Sequence, residues 1–202
     1  GLPLLDRGVA GLLGTLVLFG SLLAHEFGHA VVARRFGCEV YAVSLFFLGG
    51  MVEIDTPDSS PDAEFCIALA GPATSLVLGL LDAAGWFLVS PEAIVLRVLL
   101  LYLALSNLLL GLFNLLPGYP LDGGRILRAG LWYVSGNRER AEIWAHYFGW
   151  GLGGLALAAG TGLIVAGRFF DGFWVAAIGA FLLASIFQTS AILAAEPSDP
   201  GE

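Results

Sequence analysis

Long apolar runs alternate along the chain with short connections that contain charged residues, glycine or proline. A transmembrane helix needs about 20 mostly apolar residues, and five segments of the sequence satisfy this requirement. They span residues 8–35, 64–89, 92–116, 148–167 and 173–195. The pattern therefore predicts an all-α polytopic membrane protein with about five transmembrane helices.

Two connections are too polar or too irregular to span a membrane. Residues 38–55 are rich in Val, Tyr, Phe and Ile and include Gly49 and Gly50, a pattern that predicts a short β hairpin or an embedded loop. Residues 117–145 contain prolines, a glycine pair and a charged tract. At this length we expect one domain, over residues 1–195, followed by a polar C-terminal tail at 196–202.

Composition supports the membrane interpretation and excludes other classes. Hydrophobic residues make up 57% of the chain and charged residues 13%, whereas a soluble domain has about 25% charged residues. The mean hydropathy is +0.84, which excludes a disordered chain. The net charge is −8, and no basic face for nucleic acid is visible.

All nine basic residues are arginines, and their distribution predicts the orientation in the membrane. With five spans, six arginines fall on one side, which is expected to be cytoplasmic. This places the N-terminus of the chain outside and its C-terminus in the cytoplasm. The six residues are Arg34, Arg35, Arg125, Arg128, Arg138 and Arg140.

Three ionisable residues, His25, Glu26 and His29, lie inside the first apolar segment. Ionisable groups are costly within a bilayer, so they indicate a functional site. Residues four apart share one helix face, and two imidazoles placed there can bind one Zn²⁺. Glu26 is offset by about 100° around the helix, where it can act on a water molecule. This HExxH spacing is typical of zinc hydrolases.

A catalytic zinc site needs a third protein ligand. His146 is one candidate, but Asp122 is favoured because Pro117 and Pro120 end the third span. The chain can then turn Asp122 back toward the first helix, on the same predicted side of the membrane.

Asn107 and Asn114 are seven residues apart and share a face of the third predicted span. Amides inside a span commonly bond to neighbouring helices. Alternatively, Asn114 lies near the metal and has a catalytic role, in which it donates a hydrogen bond to a developing oxyanion.

Two motifs, HEFGH at residues 25–29 and FNLLPGYPLDGGRIL at residues 113–127, resemble those of the site-2 protease family, intramembrane zinc metalloproteases of peptidase family M50. The chain is most similar to the prokaryotic group without an inserted PDZ domain. The resemblance covers about residues 22–131 and implies location in a prokaryotic cell membrane.

The resemblance implies roles for individual residues. The family's metal ligands fall on His25, His29 and Asp122, and its catalytic Glu falls on Glu26. Asn114 matches the family Asn implicated in substrate or transition-state binding. Asn107 also matches a recurring Asn, and we expect it to bind substrate. The sequence LAGP at residues 69–72 resembles the family's AGP signature.

The chain also departs from the family pattern. Ser75 stands where the family commonly has Asn, three residues after the Pro of the AGP signature. Members usually have a further span before the HExxH helix, so the chain is expected to be a truncated or five-span form. Many relatives also carry cytoplasmic CBS domains after the last span.

The sequence thus predicts a zinc-dependent intramembrane endopeptidase with one Zn²⁺ per chain. Its expected partners are the lipid bilayer and single-span or helical membrane-protein substrates, and we expect no nucleic acid. A substrate must unwind to be cut, and the edge of the predicted hairpin, including Gly49 and Gly50, could bind it as an added strand.

Three alternatives fit the sequence less well. An HExxH enzyme of the CAAX-processing type would use a Glu as third ligand, where this chain offers Asp122. A second alternative is a non-catalytic scaffold or regulator with a structural metal site, and the intact set of His25, Glu26, His29 and Asp122 argues against it. A zinc transporter would show repeated halves, and none is visible.

Overall fold

The computed structural model describes residues 4–46, 49–55 and 60–195. It contains six helices and two strands within these ranges. In chain order they are α1 (Leu4–Arg35), β1 (Glu39–Phe46), β2 (Gly49–Asp55), α2 (Pro61–Leu88), α3 (Ile94–Asn114), α4 (Asp122–Ser135), α5 (Arg138–Val165) and α6 (Phe169–Ala195).

Five of the described helices are long and apolar enough to cross a membrane, which confirms the predicted fold class. The apolar segments are Gly11–Arg35, Pro61–Leu88, Ile94–Asn114, Arg138–Val165 and Phe169–Phe187. Many large apolar side chains on these helices are exposed, as expected where lipid rather than protein covers the surface. The orientation of the termini stays a prediction.

The fourth spanning helix, α5, begins ten residues earlier than the sequence pattern indicated. The side chain of Asn137 caps it, accepting a hydrogen bond from the backbone N–H of Arg140 at 2.8 Å. Capping satisfies a backbone donor at the helix start. The charged tract from Arg138 therefore forms the first turns of this helix instead of a connection.

Helix α4 was not predicted, because its sequence begins with the turn-like residues Asp122, Gly123 and Gly124. Leu121 before it is extended, and Gly136 after it is left-handed, with φ of 65°. A glycine in this conformation commonly ends a helix. The helix covers half of the region expected to be irregular.

The predicted β hairpin is confirmed. Strands β1 and β2 pair antiparallel, with a register that runs from Glu39 opposite Asp55 to Phe46 opposite Gly49. A one-residue irregularity between Val40 and Ala42 interrupts the ladder.

The chain divides into two compact units, Gly1–Leu115 and Leu116–Glu202. In the first unit, small residues bring helices α1, α2 and α3 close together. A Cβ atom at Gly28 of α1 would lie 2.9 Å from the carbonyl oxygen of Ala70 in α2. A Cβ atom at Gly111 of α3 would lie 3.0 Å from the carbonyl oxygen of Pro72. Such contacts allow close helix packing in lipid, where apolar surfaces alone give little attraction.

In the second unit, α5 packs against both α4 and α6. Arg128 of α4 forms an ion pair with Glu142 of α5, with a separation of 2.6 Å between nitrogen and oxygen. Close contact of α5 with α6 depends on Gly160, where a Cβ atom would overlap the backbone of Ala176. The predicted single domain, residues 1–195, therefore contains residues of both compact units.

Candidate metal centre

The first unit buries the three ionisable residues of the HExxH segment. His25, Glu26 and His29 are 2%, 6% and 4% exposed, respectively. The centroids of the two imidazole rings are 5.1 Å apart, in an edge-on arrangement. The helical spacing therefore places both histidines together on the protein-facing side of α1, as the sequence predicted.

Each imidazole ring contacts α2 through its Nδ1 atom. Nδ1 of His25 lies 2.9 Å from Oγ of Ser75, and Nδ1 of His29 lies 2.7 Å from the carbonyl oxygen of Ile67. A carbonyl oxygen only accepts hydrogen bonds, so Nδ1 of His29 must carry the hydrogen. A metal-binding histidine characteristically donates its other ring N–H in this way, which fixes the tautomer and the ring orientation.

Gly71 of α2 keeps the space beside both Nε2 atoms open. A Cβ atom at this position would lie 2.7 Å from Nε2 of His25 and would overlap Nε2 of His29. Both rings therefore direct Nε2 toward the same glycine. Two neutral imidazole Nε2 atoms that converge on one space are suitable donors for Zn²⁺.

In the second unit, Asp122 is the first residue of α4, and its placement depends on a tightly folded segment. A Cβ atom at Gly124 would lie 2.5 Å from the backbone nitrogen of Tyr119, and one at Gly118 would lie 2.7 Å from Cα of Gly149. The segment before Asp122 thus folds back onto the first turn of α4 and onto α5. The role of Asp122 as third ligand stays a prediction.

His146, the other candidate for a third ligand, lies on α5 of the same unit. Its Nδ1 atom lies 3.0 Å from the carbonyl oxygen of Glu142, one turn earlier. Its ring packs against the ring of Tyr119, with 4.7 Å between the centroids. His146 thereby supports the segment that precedes Asp122.

The two asparagines of α3 have different environments. Asn114, the last residue of the helix, donates a hydrogen bond from Nδ2 to the carbonyl oxygen of Leu110 at 3.0 Å. Asn107 is 1% exposed and donates to Ser21 of α1 and Asp82 of α2. Asn107 therefore forms hydrogen bonds to two neighbouring helices, as amides inside a span commonly do. The functional roles assigned to both residues stay predictions.

Gly49 and Gly50 begin strand β2, opposite Phe46 and Leu45 of β1. They lie on the hairpin, as predicted, and their role in substrate binding stays a prediction.

Three residues of α2 that contact the histidines were not identified by the sequence as site residues. They are Ile67, Gly71 and Ser75, which are spaced four apart and occupy one helix face. Two signals were present in the sequence. Gly71 belongs to the AGP signature, and Ser75 is the position at which the chain departs from the family's Asn.

Comparison with known proteins shows the family to which the chain belongs. The profile of peptidase family M50 matches residues 13–98 and 90–154, so the chain belongs to peptidase family M50. With its five apolar helices, it is a multi-pass integral membrane protein.

Individual relatives carry names consistent with this family. "Putative zinc metalloprotease Rip3" of Mycobacterium tuberculosis is 45% identical over 191 residues, covering 92% of this chain and 48% of the relative. "Zinc metalloprotease MJ0392" of Methanocaldococcus jannaschii is 36% identical over 148 residues, covering 72% of this chain and 42% of the relative. The chain thus spans about half the length of the curated relatives it matches.

The solved structure of a site-2 protease from Methanocaldococcus jannaschii has the same fold. Its TM-score is 0.62 at 25% sequence identity, and the match covers 91% of this chain and 85% of that one. The resemblance inferred from the sequence motifs is therefore confirmed.

We predict that Gly71→Ala weakens zinc binding by about tenfold or more, because overpacking in a rigid site costs about 1–3 kcal/mol. The measurement is the zinc dissociation constant of the detergent-purified protein, obtained by competition with a chelator. Gly85→Ala, also in α2, is the matched control, since its Cβ atom would make an ordinary 3.5 Å contact with Leu100. Wild-type affinity in Gly71→Ala would refute the placement of the metal beside this glycine.

Proposed function

We propose that the protein is a zinc-dependent intramembrane endopeptidase that hydrolyses peptide bonds in or near transmembrane segments of other membrane proteins. One observation carries the proposal: two buried histidines, one turn apart in an apolar helix, direct their Nε2 atoms toward Gly71 while α2 holds their Nδ1 atoms. The names of the relatives and the fold of the site-2 protease support it.

His25, His29 and Asp122 would hold one Zn²⁺. The first two offer neutral imidazole nitrogens, and Asp122 offers a carboxylate oxygen, a donor set suited to catalytic zinc. When bound, zinc supplies Lewis acidity, which lowers the pKa of a water molecule toward about 7 and polarises a carbonyl group.

Glu26 would be the general base and then the general acid. Its carboxylate takes a proton from the attacking water as the water oxygen bonds to the scissile carbonyl carbon. It then delivers that proton to the amide nitrogen as the carbon–nitrogen bond breaks. Burial of Glu26, at 6% exposure, keeps bulk water from competing for these transfers and strengthens local electrostatic interactions.

Asn114 would donate a hydrogen bond to the scissile carbonyl oxygen as negative charge develops there. A side-chain amide has two N–H groups, and the Asn114 amide uses one of them to bond to Leu110. The second N–H is the one that we assign to the substrate.

The hairpin of β1 and β2 would bind the unwound substrate as an added strand, which pairs its backbone groups while its bonds are exposed to cleavage. Gly49 and Gly50 lie in the hydrogen-bonded ladder of β2. Because glycine has no side chain, the substrate backbone can approach closely at these positions.

We predict that Glu26→Gln lowers the cleavage rate at least about 100-fold, since general acid–base catalysis contributes about 10²–10⁴-fold. Zinc content should be unchanged, because Glu26 is not a ligand in this account. The assay follows cleavage of single-span membrane proteins co-reconstituted in liposomes. The control is Glu92→Gln, which alters an exposed glutamate in the connection between α2 and α3. Cleavage at the wild-type rate by Glu26→Gln would refute the assignment.

A second prediction concerns the hairpin. Replacing Gly49 and Gly50 together by valine should preserve the strand, because β-branched residues favour strands, but should hinder close approach of a substrate backbone. We expect slower cleavage with normal zinc content in the same liposome assay. If the cleavage rate is unchanged, the hairpin has no part in substrate binding.

A further inference from the structure

We propose that Asp82, acting through the side-chain amide of Asn107, is a positioning residue that fixes the placement of α1, the helix that carries the HExxH segment. This inference rests on the proposed function only for the expected changes in zinc affinity. Neither residue would contact the substrate or the metal. The two would act by holding α1 against α2 and α3.

The amide of Asn107 joins three helices at one point. Its Nδ2 atom donates to Oγ of Ser21 in α1 at 3.1 Å and to Oδ2 of Asp82 in α2 at 3.2 Å. Ser21 in turn donates to the carbonyl oxygen of Val17 within α1, also at 3.1 Å. Both N–H groups of the amide are therefore used inside the bundle.

This polar cluster of Ser21, Asp82 and Asn107 lies close to the histidines along the same two helices. Ser21 precedes His25 by four residues, about one turn of α1. Asp82 follows Ser75 by seven residues, about two turns of α2. The same pair of helices thus carries the polar cluster at one level and the contact between His25 and Ser75 at the next.

The hydrogen bonds of the cluster add a directional constraint on the axial position of α1 to the close packing at Gly28. Contacts between apolar side chains have no preferred direction. A hydrogen bond, in contrast, keeps its atoms within about 2.7–3.2 Å. The hydrogen bonds of the two imidazole rings are limited to the same range of distances. Nδ1 of His25 lies 2.9 Å from Oγ of Ser75, and Nδ1 of His29 lies 2.7 Å from the carbonyl oxygen of Ile67. A small axial shift of α1 would therefore break them.

The burial of the cluster strengthens this constraint. Asn107 is 1% exposed and Ser21 is 7% exposed. In an apolar environment, a polar group that loses its partner has no water to replace it. Removing the acceptor on α2 should therefore make the Asn107 amide reorient, and α1 should move with it through Ser21.

The test uses variants that separate a lost acceptor from a changed charge. Asp82→Leu removes the acceptor at nearly constant size, whereas Asp82→Asn keeps an acceptor oxygen. Ser21→Ala removes the acceptor on α1 and is a smaller change, should Asp82→Leu fail to fold. Thr15→Val is the matched control on α1, because Thr15 is exposed and its Oγ1 donates to the carbonyl oxygen of Gly11 within the same helix.

The primary readout is the ¹⁵N NMR spectrum of the imidazole rings in metal-free protein labelled at histidine. The chain has three histidines, so the spectrum is simple to assign. We expect the His25 Nδ1 signal to shift in Asp82→Leu and Ser21→Ala and to match wild type in Asp82→Asn and Thr15→Val. Zinc affinity should fall about tenfold in the two variants that shift, the lower end of the loss seen when partners of metal-binding histidines are removed.

An unchanged His25 signal in both Asp82→Leu and Ser21→Ala would overturn the proposal, even if either variant lowers the melting temperature. Equal shifts in Asp82→Asn and Asp82→Leu would also overturn it, because a hydrogen-bond acceptor would then not suffice. Failure of the proposed function would be seen in a different signal, the response of the Nε2 atoms to zinc. In that case zinc would leave the Nε2 signals of His25 and His29 unchanged in the wild-type protein, whatever the variants do to Nδ1.

Discussion

The structure depends on the hydrogen bonds that two intramembrane histidines form with α2. An imidazole in an apolar helix is costly unless both ring nitrogens have partners. Ser75 and the carbonyl oxygen of Ile67 satisfy the two Nδ1 atoms, and the Nε2 atoms then converge beside Gly71. The requirement to satisfy one ring nitrogen within the protein is thus what orients the other toward the shared space beside Gly71.

These contacts require α1 and α2 to pack closely and in one register. Glycine at position 28 allows the close approach to Ala70, while the bonds from Asn107 to Ser21 and Asp82 are directional. Small residues permit the distance, and polar residues define the axial position. In lipid this division of tasks is expected, because apolar side chains gain little by leaving an equally apolar solvent. Glycines also allow close backbone contacts in the second unit, where the segment before Asp122 is confined by Gly118, Gly124 and Gly149.

Much of this could be predicted from the sequence, because apolar run length and the spacing of His25 and His29 are local signals. The five spans, the hairpin and the buried histidine pair follow from them. Helix α4 could not be predicted this way, because turn-like glycines can also begin a helix. The early start of α5 could not be predicted either, because a charged tract can begin a helix once Asn137 caps it. The roles of Gly71 and Ser75 depend on which face of α2 meets α1, a tertiary fact that no local pattern encodes.

The central claim is that this chain builds a three-ligand zinc site, and zinc content tests it most directly. Zinc per chain should be measured in detergent-purified, metal-supplemented wild type, in Asp122→Ala, and in Asp171→Ala, which alters an exposed aspartate paired with Arg168. The account predicts about one zinc in wild type and in Asp171→Ala, and little in Asp122→Ala, because catalytic zinc needs three protein ligands. A folded wild type without zinc, or equal zinc in all three proteins, would contradict it.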